Sequence, residues 1–125
     1  MTDLDQLSKL KPLINDTGFR DAVRRAKRDA KCKFADWLKF THDEIIDPDT
    51  IFDCQIKRIR EYKRQLLNAL RIIILYSRLR ENPALDIPPR TFFFAGKAAP
   101  AYRLAKLIIK FLNNLAGPEP STGIR

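Results

Sequence analysis

Leucines recur every third position at Leu4, Leu7 and Leu10, which puts them on one side of a helix, with Thr2 placed to cap it and Asp5 three residues on as a partial capping box. Pro12 is expected to limit that first helix. From Asp16 or Thr17 a longer stripe begins, Phe19, Ala22, Val23, Ala26, Ala30, Phe34 and Trp37, and its 3.6-residue period predicts a second helix. Asp47, Pro48 and Asp49 make a turn. The period then falls to two. Phe52, Cys54 and Ile56 alternate with Asp53, Gln55 and Lys57, which predicts a strand over Ile51–Lys57. A run free of turn residues from about Tyr62 to Arg80 predicts a third helix, apolar on all sides at Ile72–Tyr76 and therefore packed on more than one side. Asn82 and Pro83 stop it.

Ile87, Pro88 and Pro89 lead into a second strand, Thr91–Ala95, whose three consecutive phenylalanines predict burial on both faces, as inside a parallel sheet. Gly96 to Ala99 form a small-residue loop, and Pro100 suits the first turn of a fourth helix. That helix should turn Leu104, Leu107, Ile108, Phe111, Leu112 and Leu115 to the core and end at Gly117, before a disordered tail. The fold class is α/β: two N-terminal helices, then β-α-β-α with a right-handed crossover, a partial Rossmann-like parallel sheet. Three segments follow, a helical one over 1–46, a β-α-β-α one over 47–116 and the tail over 117–125. A sheet of two strands leaves edges and apolar surface open, so self-association or partial disorder is expected around Thr91–Ala95.

A chain of 125 residues with 45% hydrophobic content has enough apolar material for one folded domain. Its net charge of +9 calls for anionic partners: phosphorylated small molecules, nucleic acid or an acidic surface. Cys32, Cys54 and the single histidine, His42, make no zinc spacing, and no metal site is expected. Both cysteines read as reduced, buried thiols, and His42 as a surface residue in a loop beside Asp43 and Glu44. The acidic start MTDLDQ has no signal-peptide character, and Leu104–Leu112 is too short and too charged to span a bilayer. A soluble, cytoplasmic protein is expected.

The strongest candidate for chemistry lies where the first strand gives way to the third helix. Lys57, Arg58, Arg60, Lys63 and Arg64 gather there with only Glu61 against them. The first turn of a helix prefers negative charge by about 0.3–1 kcal/mol per group. Cations there are out of place unless an anion binds, in which case free N–H groups, dipole and side chains all face it. Two readings follow: a phosphate site, or a solvated basic turn. The arginine-rich face at Arg20, Arg24, Arg25, Lys27, Arg28 and Lys31 is similarly either solvated charge or a nucleic-acid surface, although Asp21 and Asp29 interrupt it. No GxGxxG follows the first strand, and Gly96-Lys97-Ala98 lacks the other residues of a Walker loop. One histidine supports no Ser/His/Asp or Cys/His arrangement.

The stretch Phe52–Asn68, centred on KRIREYKRQLLN, resembles a signature of the α-glucan (glycogen, starch or maltodextrin) phosphorylases. GKAAPAYRLAKLIIK, from Gly96 to Lys110, resembles the small-residue loop and helix of the same family, and TDLDQL and KFADWL fit its preceding helices. The likeness spans roughly Thr2 to Leu115 and places the chain at the start of the family's C-terminal domain, part of a two-domain glycosyltransferase fold. It implies transfer of glucosyl units from α-1,4-glucan to inorganic phosphate, giving glucose 1-phosphate, with pyridoxal 5'-phosphate as an acid–base cofactor. By the same resemblance Arg58 and Lys63 bind the substrate phosphate, Tyr62 stands beside the sugar, and Lys57 helps to hold the cofactor phosphate. Glu61, Ala99 and Tyr102 match the wall of a site where planar purine-like inhibitors stack. Arg60 stands in place of a usual histidine and Ala101 in place of a glycine. The segment bearing the Schiff-base lysine has no counterpart here, so the 125 residues alone are expected to be inactive. The other class open to the sequence is a small basic nucleic-acid-binding module.

Overall fold

Leucines three apart fit a helix of three residues per turn better than one of 3.6, and the chain opens in that way. In the computed structural model, which describes residues 3–117, a 3-10 helix runs Leu4–Asn15. Thr2 lies outside the described residues; Asp3 caps the helix instead, its side chain accepting from the Asp5 N–H at 3.1 Å. Pro12 does not limit it. The helix continues three residues past Pro12, whose fixed φ suits the tighter winding.

Asp16 then accepts from the Phe19 N–H at 3.0 Å and starts α1, Thr17–His42. The predicted stripe keeps its period but not its burial: Phe19, Val23, Phe34 and Trp37 remain 37–50% exposed. His42 is the last helical residue rather than part of a loop, its ring edge-on to Trp37 at 5.4 Å. Asp43, left-handed at φ 57°, ends α1 and donates its N–H to the Lys39 carbonyl. The turn after it forms as expected. Asp47 accepts from the Asp49 N–H at 2.8 Å and from the Thr50 hydroxyl at 2.9 Å.

Arg28 grips Asp49 with two parallel hydrogen bonds of 2.8 and 2.9 Å, and Lys31 donates to the Thr50 carbonyl at 2.7 Å. The hydrogen bond from Arg28 is the main cause that holds the Asp49 carboxyl below its ordinary value; the charges of Arg28 and Lys31 add to it, against the opposing loss of hydration. A folded value below the unfolded one means that the clamp stabilises the turn above the unfolded carboxyl's range. That contribution is lost as pH falls through the lowered value. In a carboxyl-carbon NMR titration Asp49 should therefore titrate below the ~3.9 of a free aspartate, and Arg28→Ala should return it there. A midpoint unmoved by Arg28→Ala would contradict the assignment.

The described residues divide between Ile51 and Phe52 into two units. The second contains β1 (Ile51–Ile56) from its second residue onward, α2 (Gln65–Glu81), β2 (Arg90–Ala95) and α3 (Arg103–Ala116). The strands pair with each other. Lys57 N–H donates to the Ala95 carbonyl and Ile59 N–H to the Lys97 carbonyl, so the pairing advances in the same direction on both strands: it is parallel. The α/β class and the β-α-β-α order are as expected.

β1 turns its polar side toward α2, the reverse of a usual half-buried strand. Asp53 binds Arg71 at 2.6 Å, and Gln55 accepts from Asn68 at 2.9 Å. On the other side Phe52 meets Phe93 edge to face at 5.0 Å, while Ile56 stays 66% exposed and Cys54 is exposed. The expectation of two buried thiols fails accordingly: Cys54 is exposed and Cys32 half-buried, both free. Phe92, Phe93 and Phe94 are half-buried rather than enclosed. Arg71 lies over the Phe92 ring at 5.4 Å, and Phe94 packs on the core.

That core is small: Ile59, Ala69, Ala105, Ile108 and Leu112. It takes only part of the predicted face of α3, since Leu104, Leu107 and Leu115 are 36–51% exposed. The small Ala69 and Ala105, both 0% exposed, bring α2 and α3 close together, and side chains one position away are left outside. α2 is likewise open on one side, with Leu67, Leu70 and Ile74 43–60% exposed. Positions 118–125, which carry most of the expected tail, lie outside the described residues.

Candidate functional site

α2 does not begin at Tyr62. Glu61–Lys63 forms a 3-10 turn, Arg64 follows at φ 60°, and the first helical residue is Gln65. The left-handed Arg64 redirects the chain, a conformation that costs of order 1–3 kcal/mol for a residue with a Cβ. The five cations accordingly precede the helix instead of filling its first turn. Ile59 anchors this basic turn, 4% exposed in the core between the exposed Arg58 and Arg60.

Where the two strands end, the backbones nearly touch. A Cβ on Gly96 would lie 2.1 Å from the Lys57 carbonyl oxygen. Only glycine permits that approach. It draws the basic turn against the Lys97–Ala101 loop, and a concavity of about 440 Å³ opens between them, lined by Arg58, Ile59, Arg60, Lys97, Ala98, Ala99, Pro100 and Tyr102. Three of these residues are cationic and none is acidic. Tyr102 is the residue before α3 and caps none of that helix's N–H groups with its side chain. The loop, not the helix, takes Pro100, correcting its expected place in the first turn. The site therefore combines positive side chains with a helix N-terminus, but the helix is α3 rather than α2.

Of the residues singled out in the sequence, Arg58, Ala99 and Tyr102 share this concavity. Glu61 adjoins it through its backbone, donating its N–H to the Tyr102 hydroxyl at 3.4 Å. Lys57, Tyr62 and Lys63 are not among its lining residues. The Lys63 ammonium lies 4.9 Å from the centre of the Tyr62 ring, itself 67% exposed. On the sequence alone Lys97 has no role, and Arg60 is only a departure from the resemblance. The signal available for Lys97 was its place after a glycine at a strand end, where ligands of open α/β sheets collect.

Elsewhere some of the charge is paired. Arg24 pairs with Asp21, and Arg28 with Asp49, so the basic face of α1 is partly neutralised from within. Among the described residues no three His, Cys, Asp or Glu come together as metal ligands, and no helix is long and apolar enough to cross a membrane.

The cationic turn and the glycine loop meeting at the strand ends are the two segments that resemble phosphorylases, and comparison with known proteins decides the matter. The family model of the carbohydrate phosphorylases matches residues 1–118. The chain belongs to the carbohydrate phosphorylase family. Relatives in this phosphorylase family include the glycogen phosphorylase of Synechocystis, 45% identical over 98% of this chain and 15% of its own length. That of Chlamydia pneumoniae is 48% identical over 91% of this chain and 14% of its own. The rabbit muscle form is 43% identical over 100% of this chain and 15% of its own. The chain thus spans about 15% of the length of the phosphorylases it matches. Nothing in these matches favours a nucleic-acid-binding module.

Proposed function

We propose that this chain supplies the substrate-phosphate side of a glycogen phosphorylase, an enzyme that transfers glucosyl units from α-1,4-glucan to inorganic phosphate in cytoplasmic glycogen degradation. The observation that carries the reading is the concavity that Arg58, Arg60 and Lys97 line together with no lining acid. Phosphorolysis needs an anionic nucleophile held at fixed distance from the sugar, and preorganised cations lower the cost of that charge most where water is scarce. Arg58 offers a planar fork for two phosphate oxygens, and Lys63 a point charge on a flexible stem that can swing in from the turn. Tyr62, highly exposed beside Lys63, is available to a sugar ring.

Pyridoxal 5'-phosphate would supply a second phosphate for proton transfer. Of this chain's residues only Lys57 is assigned toward it by resemblance, and Lys57 lies outside the concavity. The described residues do not by themselves form a site for that cofactor. The open faces of α2 and β1 also suit association with a further polypeptide, including a second copy of this chain.

The test is a chimera in which residues 1–118 replace the matching stretch of the Synechocystis enzyme. It should release glucose 1-phosphate from glycogen and phosphate. Arg58→Ala in the chimera should lower kcat/KM for phosphate at least 100-fold, about 2.7 kcal/mol of transition-state stabilisation. A folded chimera whose rate ignores Arg58→Ala would refute the assignment.

A further inference from the structure

Two glutamine side chains hold the basic turn from opposite ends. Gln65, the first residue of α2 and 0% exposed, donates its amide to the Arg58 carbonyl at 3.2 Å. Gln55, on β1, donates to the Lys63 carbonyl at 2.9 Å. Gln55 is itself held: its oxygen accepts from Asn68 at 2.9 Å, Asn68 accepts from Arg71 at 3.0 Å, and Arg71 binds Asp53 at 2.6 Å. The carbonyls of Arg58 and Lys63, the two residues assigned to the substrate phosphate, are therefore pinned by neutral donors. Neutrality matters here. The turn carries Lys57, Arg58, Arg60, Lys63 and Arg64, and a lysine or arginine donor would add to their mutual repulsion, whereas a carboxamide secures the backbone without charge.

Gln65 has a further peculiarity. Its Oε1 is buried with no hydrogen-bond partner among the described residues. A methionine would fill similar volume and leave no buried acceptor unmet, so packing alone does not account for an amide at this position. The bond to Arg58 does.

We infer that Gln65 and Gln55 are positioning residues, an amide latch that sets where Arg58 and Lys63 stand and so determines phosphate affinity without touching phosphate. The role in affinity rests on the function proposed above; the latch itself does not. Without the amide, the Arg58 carbonyl loses its donor, the segment from Arg58 to Lys63 gains freedom, and binding must order it again. A residue that only supports the core would change stability and leave the affinity of the folded fraction unchanged.

The test uses the full chain labelled with nitrogen-15, as parent, Gln65→Met, Gln55→Met and Leu112→Ala, the last removing core volume on α3 while keeping both amide bonds. Backbone heteronuclear NOE values for residues 58–63 report the order of the turn, and titration with inorganic phosphate gives its Kd. Either glutamine variant should show lowered NOE values across the turn and a roughly 10-fold weaker Kd, with α2 and α3 amides unchanged. Leu112→Ala should lower the melting temperature and leave the Kd of the folded protein as it was. If Gln65→Met does not fold, Gln55→Met reads the same latch at its other end. Turn order unchanged in the glutamine variants would overturn the inference, as would a Kd that moves equally in Leu112→Ala. If the parent does not bind phosphate at all, the functional assignment falls, and the latch is still judged by the NOE values.

Discussion

Gly96→Ala should cost unit Phe52–Arg125 about 3 kcal/mol, at the upper end for overpacking. The added methyl would sit 2.1 Å from the Lys57 carbonyl oxygen and 2.9 Å from its carbon, both backbone atoms that no rotamer change can move aside. Relief requires the strand ends to separate. Separation would break the flanking bonds from Lys57 N–H to the Ala95 carbonyl and from Ile59 N–H to the Lys97 carbonyl. The same movement would pull Ile59 from the core and widen the concavity between Arg58 and Lys97. Thermal unfolding followed by circular dichroism should show a drop of more than 10 °C, since ~1 kcal/mol moves Tm by about 4–8 °C in a unit of this size. Gly18, whose added Cβ would meet nothing closer than 3.3 Å on a side-chain oxygen, should tolerate alanine. Equal tolerance at both positions would mean that the strand ends are not so close.

The second large effect is expected at Leu112. It is 9% exposed and belongs to a five-residue core, so Leu112→Ala should cost about 2–5 kcal/mol, much of the stability such a core can supply. Leu107→Ala, on the same helix but 51% exposed, should stay within about 1 kcal/mol. Urea titration of the two variants separates the buried side of α3 from the open one. Equal costs would mean that the helix presents a different side to the sheet.

Why these two leucines differ was not legible in the sequence. Periodicity assigned both to one apolar side, because it records which residues could be buried and not what is available to cover them. The same gap affects α2, whose isoleucine-rich middle reads as enclosed although Ile74 is 54% exposed. The chain spans about 15% of its relatives' length, and among the described residues nothing covers Leu107 or Ile74. Local signals fared better. The start of α1 at Asp16 or Thr17, the Asp47 turn, Asn82 as a stop and both strands were readable, since each depends on residues only a few positions away.

The site was half legible. Five cations between a strand and a helix were evident, and so was the glycine loop, but nothing local linked them. That link is the parallel pairing, which places Ile59 beside Lys97 and so brings Arg58, Arg60 and Lys97 around one concavity. The beginning of α2 was misplaced for another reason. The adoption of a left-handed conformation by an arginine at position 64 is set by tertiary contacts, such as the Gln55 bond to Lys63, and propensity gives no sign of it.

Residue-resolved phosphate binding tests the central claim most directly. With inorganic phosphate added at low ionic strength to the nitrogen-15-labelled chain, amide shifts should concentrate at Arg58–Arg60 and Lys97–Arg103 and saturate at millimolar concentration. Shifts spread instead over the arginines of α1, or rising without saturation across the whole surface, would show that the cations at the strand ends form no site.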